Sequence, residues 1–323
     1  MAQHDRPTLG ILFVCAGVLL ISLNDLTIKY LSGGYPLHQL VFIRAVCGLL
    51  LTFVFLSHEG GLRALRTDKP FLLILRGLLI VMANLTFFAA LAVMPLGQVT
   101  ALFFVAPLLI TLLSVPLLGE RVGPLRLGAV LVGFVGVLVM QRPWADATDA
   151  PRVVMALPVI AATFYALMQV LTRRLGVSAS TATMAIYNQS VFVAVSLLFF
   201  AVAGDGRFVA ETTPASLEFL LRPWIRPPAE EIWFLVFLGF VAGFMVYAMT
   251  AAYRLADAAV IAPFEYLGLP LAFFWGWLIF GEIPDATTWI GCALILGSGL
   301  FVFLRERRKG HRQLGRRGLW ARR

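Results

Sequence analysis

Charged side chains inside otherwise apolar stretches are the residues of this 323-residue sequence that could do chemistry. Asp25 and Lys29 lie four positions apart, close enough for an ion pair on one helix face. Arg44 lies in the next apolar stretch. An ionised group in a bilayer is costly and persists where it is paired or faces a wet cavity. We expect either a charged site or a structural triad of these three residues that joins two helices. In the charged site, Lys29 or Arg44 meets a substrate carboxylate or phosphate, and Asp25 meets an amine or carries a proton.

Glu265 is the acidic candidate in the second half of the chain, between Pro263 and Tyr266. Proline removes a backbone donor and loosens a helix, so that a carbonyl oxygen can bind a ligand or an ion. A carboxylate held away from water can take up and release a proton near neutral pH. Glu265 is therefore predicted to be a coupling or substrate-contacting acid. The alternative is an ion pair with Arg76 or Arg254.

Neutral polar and aromatic side chains within the same stretches complete the candidate site. They suit the lining of a cavity for a flat ligand, but hydrogen bonds between helices and an aromatic belt at the membrane surface explain them nearly as well. These candidates are Asn84, Tyr165, Gln169, Asn188, Gln189 and Tyr266.

Enzyme motifs in the sequence are incomplete. His58-Glu59 lacks the second histidine of a zinc-protease helix. Gly297-Ser298-Gly299 is too short for a nucleophile elbow. We therefore predict no catalytic residue, no metal site and no cofactor, and an intramembrane enzyme is a remote alternative. A channel would require a ring of charges or carbonyl oxygens from an oligomer, which this chain does not suggest.

The composition indicates the elements that must hold these residues. Hydrophobic residues make up 60% of the chain and charged residues 13%, which excludes a soluble globular protein. A membrane-crossing helix needs about 20 mostly apolar residues. Ten such spans are predicted, at 9–31, 37–57, 71–92, 96–117, 124–141, 153–172, 180–203, 232–253, 258–280 and 286–304.

Basic residues orient these spans. With a cytoplasmic N-terminus, the inside segments hold 18 Arg and Lys residues and the outside loops five. Nine of the 18 lie in the tail at 305–323, which contains one acid. Such a tail is typical of a segment beside anionic lipid headgroups, so no nucleic-acid partner is predicted. We expect a multi-pass protein of the bacterial inner membrane with both termini in the cytoplasm.

An internal repeat relates the two halves. Gly119-Glu120 recurs 162 residues later as Gly281-Glu282, at what we expect to be helix caps or hinge contacts. Each half contains five spans, an odd number, so the second half must enter the membrane inverted. The fold class is therefore an all-α polytopic membrane protein with ten transmembrane helices in two inverted repeats. The predicted segments are an N-terminus at 1–8, repeats at 9–141 and 153–304, an external linker at 142–152, a partly helical external loop at 204–231 and a tail at 305–323.

These features resemble the EamA branch of the drug/metabolite transporter superfamily over residues 9–304. The apolar helix ending in Leu-Gly-Glu at 118–120 or Phe-Gly-Glu at 280–282 carries the resemblance. A glycine-rich helix follows each motif, with Gly128, Gly133 and Gly136 in the first repeat. Such glycines are expected to allow close helix approach. Inverted repeats around a midplane site are the usual construction of secondary transporters.

The stretches around Lys29, Arg44 and Glu265 resemble a subgroup that includes uptake carriers for S-adenosylmethionine. The resemblance implies a secondary-active carrier of a small organic metabolite by alternating access, with S-adenosylmethionine or a similar zwitterionic or aromatic compound as the first candidate. Riboflavin uptake and export of amino acids, drugs or metabolites are the alternatives. The sequence leaves open import or export, coupling to protons or to a counter-substrate, and a monomer or a homodimer.

Overall fold

The structure is a computed structural model that describes residues 7–58, 67, 69–120, 122–144, 152–175, 181–255 and 258–320. Regular structure within these ranges consists of helices alone. In chain order they are α1 (Pro7–Leu31), α2 (Leu37–His58), α3 (Pro70–Leu91), α4 (Leu96–Phe103), α5 (Ala106–Leu118), α6 (Pro124–Gln141), α7 (Arg152–Leu175), α8 (Thr181–Ala203), α9 (Ala215–Leu221), α10 (Ile232–Leu255), α11 (Ala258–Glu265), α12 (Gly268–Phe280) and α13 (Ala286–Trp320).

The described helices account for the ten predicted spans. Nine helical segments within the described residues are long and apolar enough to cross a membrane, and α2 has a shorter apolar stretch at Leu37–Phe53. The all-helical, ten-span fold class is confirmed. The short helix α9 lies in the long connection between α8 and α10, where the sequence predicts partly helical structure.

Two of the ten spans are broken near their middle. The predicted span 96–117 is divided into α4 and α5 at Phe104-Val105, and the span 258–280 into α11 and α12 at Tyr266-Leu267. The two breaks are 162 residues apart, the same offset as the repeat. A proline follows each break: Pro107 lies three residues after Phe104, and Pro270 lies four residues after Tyr266. Because proline has no backbone N–H, each removes one helical hydrogen bond. The breaks are therefore a shared feature of the two repeats.

The Gly-Glu motifs form the same cap in both repeats. Gly119 and Gly281 end α5 and α12 in the left-handed conformation, with φ of 69° and 67°, which glycine adopts without steric cost. The next residue then donates its backbone N–H back into the helix, from Glu120 to Ser114 at 3.3 Å and from Glu282 to Gly276 at 3.0 Å. This pattern is a Schellman cap.

The two Gly-Glu caps lie at opposite faces of the helix array, as inverted repeats require. The Glu282 face, as we call it, holds the connections α1–α2, α3–α4, α8–α10 and α12–α13. The Glu120 face holds the connection α5–α6. Helices of the two repeats are interlocked, because α1 packs on α10, α2 on α8, α3 on α7 and α6 on α13.

Glycines bring α6 and α13 together at one part of their contact. A Cβ on Gly136 would lie 2.8 Å from the carbonyl oxygen of Gly291 and 2.8 Å from the Cβ of Leu294. Gly133 is also tightly enclosed, whereas a Cβ on Gly128 would meet no atom within 4 Å. The prediction of close approach is thus right for Gly133 and Gly136 and wrong for Gly128.

We expect Gly136→Ala to lower the thermal unfolding midpoint of the detergent-purified protein. The added methyl group has backbone on one side and cannot be accommodated without a shift, and such overpacking costs about 1–3 kcal/mol. The matched control is Gly128→Ala on the same helix, which should keep or slightly raise the midpoint because alanine favours helix. Equal midpoints for the two variants would contradict the close contact.

Candidate functional site

The two helix breaks meet at a pair of stacked rings. Phe104 and Tyr266 occupy equivalent positions in the two repeats, and their ring centroids lie 5.3 Å apart at an interplanar angle of 21°. The pseudo-twofold relation of the repeats therefore passes close to this ring pair. Turn-type hydrogen bonds replace the regular helical pattern at both breaks, from the Val105 N–H to the Leu102 carbonyl at 3.2 Å and from the Tyr266 N–H to the Pro263 carbonyl at 3.3 Å.

Three predicted site residues are linked to this ring pair through Glu265. The Glu265 side chain interacts electrostatically with Tyr165 and Tyr266. Gln169 donates a hydrogen bond to the Tyr165 hydroxyl at 2.8 Å, and the Tyr165 ring lies 5.4 Å from Phe103. We call Phe104, Tyr165, Gln169, Glu265 and Tyr266 the central cluster. It combines one carboxylate, two hydroxyl groups, one amide and three rings.

Arg44 is buried and joins the first three helices. Its guanidinium donates to the side-chain oxygens of Asn24 at 3.3 Å and Asn84 at 3.1 Å. Asn24 in turn donates to Asp25 at 2.9 Å. The rings of Phe88 and Phe192 lie 5.8 Å and 5.6 Å from the guanidinium carbon, close enough for cation–π attraction. Asn24 thus links Asp25 to Arg44 by two hydrogen bonds.

Arg76 is a further charged side chain within an apolar span, which the sequence offers only as an alternative partner of Glu265. Its guanidinium donates to the Thr172 hydroxyl at 2.8 Å and to the Asn188 amide oxygen at 2.9 Å. It also interacts electrostatically with Tyr165, which connects it to the central cluster. Its position inside the apolar stretch 71–92 is the sequence feature that could have marked Arg76 as a candidate site residue.

Lys29 pairs with Glu282 instead of Asp25, so the predicted Asp25–Lys29 ion pair is wrong. The Lys29 ammonium lies 2.5 Å from the Glu282 carboxylate and donates to the Met94 carbonyl oxygen at 2.6 Å. The second Glu282 oxygen accepts the backbone N–H of Leu96, the first residue of α4, at 2.8 Å. We call this arrangement the Lys29–Glu282 latch. It joins α1 and α4 of the first repeat to the end of α12 in the second.

Further hydrogen bonds join the two repeats at the Glu282 face. Tyr35 donates to the Glu231 carboxylate at 2.5 Å, and Arg222 donates to the Ser32 carbonyl oxygen at 3.1 Å. Burial and the neighbouring Glu231 carboxylate raise the pKa of Tyr35 to about 12, so its hydroxyl keeps its proton at neutral pH. At this face the described residues thus join the two repeats by several independent polar contacts.

Comparison with known proteins decides the family. The sequence profile described as the EamA-like transporter family matches the chain twice, over residues 8–142 and 152–304. The chain belongs to this family. The two matches correspond to the two inverted repeats. This EamA-like protein is therefore a membrane transporter of small metabolites.

Several named relatives are similar to this EamA-like transporter over nearly its whole length. The riboflavin transporter of Vibrio cholerae is 29% identical over 317 residues, which are 97% of this chain and 99% of the relative. The S-adenosylmethionine uptake transporter of Rickettsia prowazekii is 27% identical over 299 residues, covering 93% and 94%. The riboflavin transporter of Brucella anthropi is 30% identical over 274 residues, covering 84% and 90%.

A solved crystal structure shares the fold of this EamA-like transporter. The two superpose with a TM-score of 0.60 at 22% sequence identity, covering 93% of this chain and 98% of the other.

The remaining predicted residues of the EamA-like transporter lie apart from the central cluster or in packing contacts. Gln189 fits against α2, where a Cβ on Gly48 would lie 2.4 Å from its amide nitrogen. Gly119 and Glu120 lie at the Glu120 face. The side chain of Arg254 lies outside the described residues. Within the described ranges there is no group of three or more His, Cys, Asp or Glu side chains that could hold a metal ion.

Proposed function

We propose that this protein imports S-adenosylmethionine, or a similar zwitterionic metabolite with a flat ring, by alternating access in the inner membrane. The observation that supports this most is the meeting of two repeat-related helix breaks at Phe104 and Tyr266. Discontinuous helices at corresponding positions of inverted repeats typically form the substrate site of a secondary transporter. Exchange of conformation between the repeats would open this site first to one side and then to the other.

The charges near the central cluster fit an amino-acid group joined to a flat heterocycle. A guanidinium has five N–H donors, and Arg76 uses two of them in its contacts with the neutral oxygens of Thr172 and Asn188. Arg76, which interacts with Tyr165 of the central cluster, can therefore also bind a substrate carboxylate. Glu265 supplies the opposite charge for an ammonium or sulfonium group. The rings of Phe104 and Tyr266 can separate to hold a heterocycle by stacking.

We take both termini as cytoplasmic, an orientation that the distribution of basic residues favours under the positive-inside rule. In this orientation the Glu282 face is external. The Lys29–Glu282 latch and the other polar contacts between repeats then close the path from outside. We therefore assign this conformation to the stage of the cycle in which external substrate has no access to the central cluster.

Uptake into proteoliposomes tests the proposal. The purified protein should take up labelled S-adenosylmethionine with saturation, and excess unlabelled S-adenosylhomocysteine should compete, while riboflavin should not. Liposomes without protein are the control. An imposed proton gradient that stimulates uptake would assign proton coupling, and stimulation by internal unlabelled substrate would assign exchange. Absence of saturable S-adenosylmethionine uptake in a preparation that transports riboflavin would refute the substrate assignment.

Riboflavin is the second candidate substrate. The riboflavin transporters among the relatives are 29% and 30% identical to this chain, slightly more than the 27% of the S-adenosylmethionine uptake transporter. The aromatic part of the central cluster suits a flat tricyclic ring equally well. Riboflavin uptake would use the stacked rings and the Gln169 amide, and it would not require a charge on Glu265. The same vesicles preloaded with substrate test export.

A further inference from the structure

A cavity lies at the Glu282 face, between the two repeats. Its volume is about 300 Å³. The walls come from the α3–α4 connection, the first turn of α4, the end of α6, and the connection from α12 to α13. The described lining includes Gln98, Arg142, Glu282, Asp285 and Thr288, and none of the central cluster. The cavity is therefore separate from the site at the helix breaks.

Two ion pairs between the repeats border this cavity. One is the Lys29–Glu282 latch, whose carboxylate forms part of the wall. The other joins Arg142 to Asp285, and Arg142 also donates to Thr287. Arg142 caps α6 at a φ of 42° and is the one non-glycine residue with positive φ in the described part of the chain. Such strain is sustained where the surroundings hold the residue in place.

Glycines make room for this arrangement. A Cβ on Gly276 would lie 2.7 Å from the Glu282 carboxylate, and a Cβ on Gly97 would lie within 2.4 Å of two atoms of the Phe273 ring. Any larger side chain at Gly276 would press on the carboxylate that Lys29 and the Leu96 N–H hold. The carboxylate is thus presented to the cavity from a fixed position.

We propose that this cavity is a second binding site that receives the amino-acid group of the incoming substrate. We call it the outer vestibule. The inference rests on the proposed function, because it takes the Glu282 face as external and the substrate as zwitterionic. The ammonium of the ligand binds Glu282 or Asp285, and its carboxylate binds Arg142, which lines the cavity with them. Lys29 does not line the cavity, and it becomes a second partner for the carboxylate when the ligand displaces it from Glu282. Gln98 and Thr288 supply neutral hydrogen-bonding groups beside them.

The outer vestibule should select zwitterionic ligands, because the ligand's two charges can replace the two partners of an ion pair within the protein. When a zwitterion enters, one ion pair within the protein is replaced by two pairs between protein and ligand, so no charge is left unpaired. A pure anion or a pure cation would leave one charge of the Lys29–Glu282 pair without a partner, which is unfavourable because these two side chains are only 11% and 19% exposed. The site should therefore accept free amino acids such as methionine and reject a neutral nucleoside.

Occupation of the outer vestibule also loosens the closed face. Glu282 joins α12 to α1 through Lys29 and to α4 through the Leu96 N–H. A ligand that takes the place of Lys29 removes one of these two connections between the repeats. The substrate thereby promotes opening toward the side from which it arrives.

Cysteine protection tests the outer vestibule without relying on transport rates. The parent protein has Cys15, Cys47 and Cys292 replaced by alanine, and its uptake of S-adenosylmethionine is measured first. Gln98→Cys is then labelled with a membrane-impermeant maleimide from outside. Methionine and S-adenosylmethionine at ten times their dissociation constants should each slow labelling about tenfold, because the site is then roughly 90% occupied. Adenosine should not protect.

The controls separate direct protection from other effects. Arg207→Cys, in an exposed pair with Asp205 away from the cavity, should label at the same rate with and without ligand. Protection at position 98 should persist when Glu265→Gln is added, because that change alters the central cluster alone. If Gln98→Cys does not fold, Thr288→Cys takes its place on the opposite wall.

Three results would overturn the proposal that the outer vestibule binds substrate. They are labelling without protection in a parent that transports S-adenosylmethionine, equal protection by adenosine, and protection that disappears with Glu265→Gln. In all three the proposed function stands. If neither the cysteine-free parent nor the unmodified protein takes up S-adenosylmethionine, the proposed function is overturned instead. The two failures are therefore distinguishable.

Discussion

Uptake of S-adenosylmethionine is expected to fall to background when Glu265 is replaced by glutamine. Glutamine keeps the size and hydrogen-bonding groups of the side chain and removes its charge. Within the central cluster, Glu265 is the single acid, and it lies beside Tyr165 and Tyr266 at the break between α11 and α12. Glu265 is half-buried, and loss of a hydrogen bond to a charged group costs about 1.5–3 kcal/mol. This range corresponds to a fall in affinity of roughly tenfold to 100-fold.

The matched control for this change is Glu211→Gln, at an exposed position in the connection between α8 and α9. Its uptake should equal that of the unmodified protein. Both variants should reach the membrane in normal amounts. Uptake by Glu265→Gln within a factor of two or so of normal would contradict the assignment, since a lost charge contact at the site predicts at least a tenfold change.

Exchange of labelled for unlabelled substrate then separates the two roles open to Glu265. A carboxylate that binds the substrate cation is needed in every crossing, so Glu265→Gln should also abolish exchange. A carboxylate that carries only the coupling proton is dispensable when substrate crosses in both directions. We expect loss of both activities, because Glu265 lies directly beside the ring pair that would hold the substrate.

The spans and the repeat could be predicted because both depend on residues that are close together in the sequence. Crossing a bilayer demands about 20 apolar residues in every helix, whatever its neighbours are. The Gly-Glu motifs recur because a Schellman cap needs glycine at one defined position, which leaves a visible mark in each repeat. Inversion then follows from an odd number of spans.

The helix breaks were harder to locate from the sequence. Hydropathy registers side-chain polarity, and Phe104-Val105 is as apolar as the helices on either side. At the second break, Glu265 and Tyr266 are polar, but polar side chains also occur within unbroken spans, as at Asn84 and Gln169. Proline indicated a disturbance near both positions but not an interruption. Pro116, by contrast, lies inside α5, which continues to Leu118. Proline alone therefore does not distinguish a kink from a break.

The partners of the charged residues could not be predicted, because they come from distant parts of the chain. Spacing of four residues favoured a pair of Lys29 with Asp25, but α12 brings Glu282 to the lysine from the other repeat. Arg76 finds Thr172 and Asn188 in the same way. Within one helix, spacing shows which pairs can form. Only the packing of helices shows which pair does form.

Breaking the Lys29–Glu282 latch from one side is expected to lower uptake by at least about tenfold, because an unpaired charge is left in a mostly buried position. The side chains of Lys29 and Glu282 are 11% and 19% exposed. We expect this loss in both Lys29→Met and Glu282→Gln, together with a lower thermal unfolding midpoint. The control is Arg207→Gln, which breaks an exposed pair with Asp205 and should have little effect, as surface pairs contribute at most about 1 kcal/mol.

The double variant Lys29→Met/Glu282→Gln decides what the latch does. Both charges are then absent, and the glutamine oxygen can still accept the Leu96 N–H, so the unfolding midpoint should exceed that of either single variant. Residues in direct contact typically show coupling of about 0.5–3 kcal/mol in such a cycle. Strictly additive effects on the midpoint would contradict the latch. Transport adds a second distinction, because a lysine that served only to bind substrate would leave the double variant as inactive as Lys29→Met. Recovery of uptake above that level would instead assign Lys29 to the closing of the external side.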